Sequence, residues 1–189
     1  MTRTFVLYSY GTTDSNFDLN QLHESNRLDL VCRCVIAALW LSKTVRRDTR
    51  FFVVLNTGPK PPVSIRFDGD KIVGIEPSEK SIGAAIKKAL QMVKDKEWAF
   101  IQSGIAVSRK SFQEIIKDSS NIVVLDQKGT HISKTKLQNP TFVLGDHVGL
   151  PKKDMQFALR KGTKVSLGNN VYLASSVISV VNWVLDQHG

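Results

Sequence analysis

Short apolar runs alternate with longer amphipathic stretches along this chain. Thr4–Tyr8, TFVLY, predicts a first strand, and 9–23 is polar and reads as a loop. Leu28, Cys32, Val35, Leu39 and Ser42 recur at a helical step and predict a helix over Asn26–Val45. Arg50–Asn56, RFFVVLN, reads as a buried strand. Val63–Phe67 and Ile72–Ile75 flank DGDK, and Asp-Gly between two β-rich runs predicts a hairpin over about 63–76. Over Ser78–Lys94, Ile82, Ala85, Ile86, Ala89, Leu90 and Val93 share one helical face. Lysines lie opposite, and Ser78 is placed to cap the helix.

In the second half, Trp98–Ile101 predicts a short strand, and Ser108–Lys117 a helix with Phe112, Ile115 and Ile116 inward. Asn121–Leu125, Thr141–Leu144 and Lys164–Leu167 predict three more strands. Val177, Ile178, Val180, Val181, Val184 and Leu185 set a closing helix over Ala174–Asp186. Helices alternating with short continuous apolar strands imply an α/β domain with a mainly parallel sheet. The hairpin is then an antiparallel excursion at one edge. No repeat, low-complexity tract or linker divides the chain, so 1–189 reads as one domain.

Three of these strands end in glycine-bearing turns: Leu125 before DQKG, Leu144 before GDHVG, and Leu167 before GNN. In open parallel sheets, ligands bind beyond the carboxyl ends of strands. Glycine there removes the Cβ that would block a flat ligand. Exposed main-chain groups at such ends suit the edge of a purine. Glycine after a strand also serves turning alone, and the spacing leaves both readings open. No GxGxxG or P-loop spacing is present, which argues against a dinucleotide or triphosphate cradle.

Charge changes the picture. Lys+Arg number 26 against 17 Asp+Glu, a net charge of +9. That surplus favours a polyanionic partner, nucleic acid above all, over a basic surface that serves solubility. No run approaches the ~18 apolar residues of a membrane span. The opening MTRTFVLYSYGTT has too short an apolar run for a secretory signal, so a cytoplasmic location is expected. Cys32 and Cys34 lie two apart on the predicted helix and point about 200° apart. They cannot share a metal or bridge each other and are expected as core thiols. The histidines are scattered without metal-ligand spacing, and no metal is expected.

RLDLVCRC (27–34), RRD (46–48), FVLGDHVG (142–149) and KVSLGNNVYLASSVISVVNWVLD (164–186) together resemble the archaeal tRNA pseudouridine-54 N1-methyltransferases. That family belongs to the SPOUT class of S-adenosylmethionine enzymes. The resemblance implies a SPOUT-type, mostly parallel sheet with helices on both faces. It implies a deep trefoil knot within about 121–189, a homodimer packed through the last helix, S-adenosylmethionine as cofactor and the tRNA T-arm as partner. It places Leu125 beside the adenine, and Leu144 and Gly145 at the first knot turn. Ser166, Leu167, Gly168, Asn169, Asn170 and Val171 fall on the last turn. Val177 falls where relatives have a cysteine near the cofactor. The loop NNVYLASS departs from relatives, which show a histidine before the helix. Asp146 either orients its loop or meets the cofactor's amino group, and His147 reads as structural. A pseudouridine methyltransferase of ribosomal RNA and a non-catalytic RNA-binding relative are the alternatives.

Methyl transfer is an in-line displacement, so positioning supplies much of the acceleration. N1 of pseudouridine carries a proton that must leave as the nitrogen attacks, and a carboxylate or a water it holds can accept it. Asp48, between Arg47 and Arg50, is the expected base or base-orienting residue, with a salt-bridged acid as the alternative. Arg46 and Arg47 suit RNA phosphate, which arginine grips bidentately. Arg27 and Arg33 join them if their helix faces the RNA. The target base has to leave its stack to react.

Overall fold

A computed structural model describes residues 1–187. The first apolar run lies in β1 (Arg3–Thr12), which continues through the stretch expected as loop as far as Thr12. β1 pairs in parallel with β2 (Thr49–Thr57) on one side and with β7 (Thr141–Gly145) on the other. β6 (Ile122–His131) lies between β7 and β8 (Gly162–Ser166), parallel to both. Three antiparallel strands complete the eight-stranded sheet beyond β2: β3 (Val63–Asp68), β5 (Ile105–Ser108) and β4 (Ala99–Gln102).

The alternation of strand side chains divides the core in two. Phe5, Leu7, Phe51, Val53, Phe142 and Leu144 face α1 (Leu28–Leu39), α2 (Glu79–Met92) and α5 (Ala174–Asp186). Val6, Val54, Val124 and Val143 face α3 (Phe112–Lys117) and α4 (Lys152–Leu159). Helices therefore cover both faces, as a parallel sheet requires. Cys32 and Cys34 are buried free thiols of α1. Burial pushes the Cys34 thiol up to about 12, so both remain protonated packing groups.

Four expectations about the elements need correction. The DGDK turn forms, with Lys71 and Ile72 N–H donating to the Asp68 carbonyl, but Ile72–Ile75 is not a strand. Ile72 is buried in the core instead, and β5 takes the edge of β3 that a hairpin partner would have used. The first helix ends at Leu39, where Trp40 turns extended and bridges to Val45. DQKG does not end β6; the strand bulges between Leu125 and Thr130 and then rejoins β8. Finally, α4 and β5 were not predicted. KKDMQFAL is half polar and buries only Ala158 fully, which leaves a weak helical stripe.

α5 is bolted to the opposite end of the sheet. The Asn182 amide donates to the Ala37 and Ala38 carbonyls at the end of α1. The Arg3 guanidinium, buried at the start of β1, donates to Asn182 Oδ1, Asp186 Oδ1 and Asp48 Oδ2 at 2.9–3.1 Å. Arg46 adds a bidentate pair to Asp186 at 2.7 and 2.8 Å.

Candidate functional site

The bulge of β6 and the carboxyl ends of β7 and β8 enclose a cleft of about 430 Å³, the right size for a cofactor. Leu125, Leu144, Leu167 and Val177 form apolar walls, and Gly145, Gly168, Asn170 and Val171 complete the turns around it. Ser166 and Asn169 act from behind this lining. The Ser166 hydroxyl accepts from Gly168 N–H at 3.0 Å and donates to the Gly168 carbonyl at 3.1 Å, which closes the turn. The Gln127 amide donates to the Asn169 carbonyl at 3.0 Å and straps the β6 bulge to the turn after β8. The ten residues expected at the cofactor are thus gathered at one end of the sheet.

Backbone shape requires glycine twice here. Gly168 has φ +119, a left-handed value, and nothing lies within 4 Å of the place its Cβ would occupy. Gly145 is crowded instead: a Cβ would meet Gly149 C and Leu150 N at 2.3 Å. The turn 145–149 folds tightly back on itself as a result.

Asp146 organises that turn. Its side chain is almost wholly buried, with Oδ2 accepting from Tyr10 N–H at 2.6 Å and Oδ1 from Val148 N–H at 2.9 Å. Its own N–H donates to the Tyr8 carbonyl. Of the two sequence readings, the geometry of this carboxylate matches loop orientation. His147 lines the cleft, half-exposed, with Nδ1 3.7 Å from Asp146 Oδ1. Asp126 and Gln127, on the bulge, and Tyr172 and Leu173, in the NNVYLASS loop, also line the cleft. Sequence reasoning missed Asp126 and Gln127 because DQKG reads as a turn leaving the sheet.

The residues expected for proton transfer and RNA contact are elsewhere. Asp48 precedes β2 and is held by Arg3 at 2.9 Å. β1 and β2 run in register from Arg3 and Thr49, so Asp48 lies at the opposite end of the sheet from its own chain's cleft. Arg46 is committed to Asp186, while exposed Arg47 donates to the Gly69 and Asp70 carbonyls. Arg27 makes a bidentate pair with Asp29, and Arg33 bridges Asp29 and Glu79. Burial opposes the Asp29 charge, but the Arg27 hydrogen bonds and the two guanidinium charges outweigh it and hold this carboxyl below its usual range. Among the described residues, no cluster of His, Cys, Asp and Glu is suited to a metal, and no helix is long and apolar enough to cross a membrane.

The chain superposes on the crystal structure of Archaeoglobus fulgidus Nep1 bound to S-adenosylhomocysteine with a TM-score of 0.67, covering 99% of this chain and 98% of that one at 13% identity. The sheet and the helices that cover it are therefore arranged as in that protein. Residues 2–189 match the family described as "Putative SAM-dependent RNA methyltransferase", and the chain belongs to that family. A Methanocella arvoryzae relative named tRNA (pseudouridine(54)-N(1))-methyltransferase is 38% identical over 190 residues, 98% of this chain and 99% of its own. A Methanocaldococcus jannaschii relative of the same name is 34% identical over 198 residues, 98% of this chain and 97% of its own.

Proposed function

We propose that this protein transfers a methyl group from S-adenosylmethionine to N1 of pseudouridine 54 in the T-loop of tRNA. The observation that carries the reading is the cleft between the β6 bulge and the ends of β7 and β8, in a chain that matches pseudouridine-54 methyltransferases from end to end. The cleft fits the cofactor chemically. Its walls are aliphatic, as a flat heterocycle requires, and the open space at Gly168 admits a ligand close to the main chain. Leu125, Leu167 and Val177 would hold the adenine, and Leu144 with Gly145 the ribose and methionine side. When bound, the cofactor supplies a methyl group on a sulfonium, open to in-line attack by a nitrogen. The chain's contribution is to exclude water with these aliphatic walls and to fix the line of approach.

The proton on N1 needs an acceptor, and Asp48 reaches the reacting base only through a second copy of the chain. We assign that role to a homodimer paired through α5. Val171 and Leu173, before the helix, are 82% and 68% exposed, and Trp183 on the helix is 63% exposed. α5 spans about 20 Å. Its start lines the cleft, through Ala174 and Val177, and its end carries Asp186 with Arg46, Arg3 and Asp48. Antiparallel pairing of two such helices about a two-fold axis sets each cleft beside Asp48 of the partner subunit. In this arrangement Arg3 is a positioning residue that aims Asp48, Arg46 fixes Asp186 beside Arg3, and Arg47, at the rim, faces the RNA. The same reading gives the C-terminal third a deep trefoil knot. It is supported by β6 lying between β7 and β8, and by the Gln127 strap to the last turn.

Mass spectrometry of tRNA treated with the protein tests the function. Methylation at position 54 is expected on pseudouridylated tRNA and none on the uridine form, whose N1 is bonded to ribose. Equal methylation of both, or of neither, overturns the reading. Asp48→Asn is expected to slow single-turnover methylation while leaving cofactor affinity intact. An unchanged rate removes Asp48 from the reaction.

A further inference from the structure

The sheet face opposite α1, α2 and α5 carries a second groove, of about 290 Å³, toward the amino ends of the parallel strands. Two cross-strand rows run through it, with Thr141, Thr4, Arg50, Phe52 and Arg66 in its lining and Asp68, Ala106 and Phe100 just beyond its edge. In one, Thr141, Thr4, Arg50 and Asp68 stand side by side on β7, β1, β2 and β3. Two residues further along, on the same face, run Phe52, Arg66, Ala106 and Phe100 on β2, β3, β5 and β4. Small Ala106 leaves room for the Arg66 guanidinium, which lies 5.0 Å from the Trp98 ring centre and 5.8 Å from that of Phe100. Ser119 and Ser120, after α3, close the far wall.

Three features of this groove are unexplained by folding alone. Arg66 lies half-buried between two rings, yet among the described residues no carboxylate or carbonyl pairs with it. Burial, and then the neighbouring Arg50 charge, push its guanidinium down from its ordinary value, which an anion placed there would relieve. Phe100 is 67% exposed, while its neighbour Ile101 on the same strand is buried. The acids at the rim are already neutralised: Asp118 by Lys110 at 2.6 Å, and Asp68 by Arg50 at 3.3 Å through one nitrogen of five-donor Arg50.

We infer that this groove is a second RNA contact, in which Arg66 and Arg50 hold a phosphate of an unpaired segment and Phe100 stacks one of its bases. Phosphate attraction and base stacking on an aromatic are the two terms of sequence-tolerant binding to unpaired nucleic acid. The net charge of +9 supplies the complementary field. Thr4 and Arg50 also line the adjoining groove that holds Arg47 and Asp48, so a strand held here runs on toward the proposed base. The inference rests on the RNA-methyltransferase reading and names where that RNA is gripped.

The test measures binding of a pseudouridine-containing T-arm hairpin by fluorescence anisotropy across a salt series, for wild type, Phe100→Ala and Arg66→Gln. Phe100→Ala is expected to weaken binding about tenfold with the salt slope unchanged. Arg66→Gln is expected to weaken it and to lower the slope of log affinity against log salt by about one. Calorimetric binding of S-adenosylhomocysteine is expected to match wild type in both variants. The Phe100 side chain is exposed, so its variant remains informative if Arg66→Gln folds poorly. Wild type that methylates the hairpin while both variants bind it unchanged overturns the groove and leaves the proposed function standing. Wild type that binds cofactor but neither binds nor methylates the hairpin overturns both. Competition by polyglutamate as strong as by RNA overturns the stacking assignment.

Discussion

Asp146 Oδ2 accepts the Tyr10 backbone N–H at 2.6 Å, joining the turn after β7 to the end of β1. Oδ1 accepts from Val148 N–H within the same turn, so one carboxylate fixes both the shape of the turn and its distance from the neighbouring strand. Asp146→Ala leaves two amides without their charged acceptor, at a cost of about 2–4 kcal/mol, since hydrogen bonds to charged groups are the stronger kind. Urea denaturation is expected to show this loss, and calorimetry a weakening of cofactor binding by tenfold or more. Asp146→Asn keeps one acceptor oxygen and is expected to lose less of each. Equal stability of wild type and Asp146→Ala excludes the structural role.

Gly145→Ala tests the crowding of that turn directly. The added methyl meets Gly149 C and Leu150 N, both main-chain atoms that no rotamer change can move aside. The turn must open, at about 1–3 kcal/mol for an overpacked site. Because Gly145 also lines the cleft, cofactor affinity is expected to fall further than stability predicts. A variant that loses stability but binds cofactor as wild type does shows that the turn relaxes away from the ligand.

The strand ends that form the cleft are legible because each couples an apolar run to a glycine, and a parallel sheet puts those ends together. What side chains do at the other end of the sheet is not legible. RRD looks like a free basic patch with an acid. Arg46 spends its donors on Asp186, 140 positions away, and Asp48 is held by Arg3, 45 positions away. Long-range ion pairs leave no period in the sequence. The bulge in β6 was hidden for a related reason: DQKG has turn composition, but pairing with β8 overrides it. α4 and β5 are short and only partly apolar, so neither offers enough residues to display a repeat. The Arg66 groove depends on register across four strands, which a single chain does not reveal.

The ion cluster at the end of α5 gives acid sensitivity a definite sign. The Arg46 hydrogen bonds, opposed in part by burial and helped by Arg3, hold the Asp186 carboxyl below its usual range. A carboxylate with a depressed folded value stabilises the protein above its unfolded pKa of about 3.9. That contribution disappears as pH falls through the folded value. Asp186 is partly exposed, so solvent screening limits it to about 1 kcal/mol. Asp186→Asn is expected to lower stability at pH 6 and to flatten its decline between pH 4 and pH 2, measured by denaturant titration at each pH. A decline as steep as in wild type assigns the acid sensitivity to other carboxylates.

Trp183→Glu tests the assembly that would bring Asp48 to a cleft. Trp183 is exposed on α5, one turn from Val180 and close to the Asp186 cluster, so a charge there leaves the fold of one chain unstrained. Across a two-fold axis the substitution sets two like charges into an apolar contact, which costs several kcal/mol. Analytical ultracentrifugation is expected to show wild type as a dimer and Trp183→Glu as a monomer with unchanged circular dichroism. The monomer is expected to lose methylation in proportion to its population, because its cleft then lacks Asp48 of the partner subunit. A monomeric variant with full activity would mean that one chain completes the reaction with cleft residues alone, among them the titratable Asp126, Asp146, His147 and Tyr172.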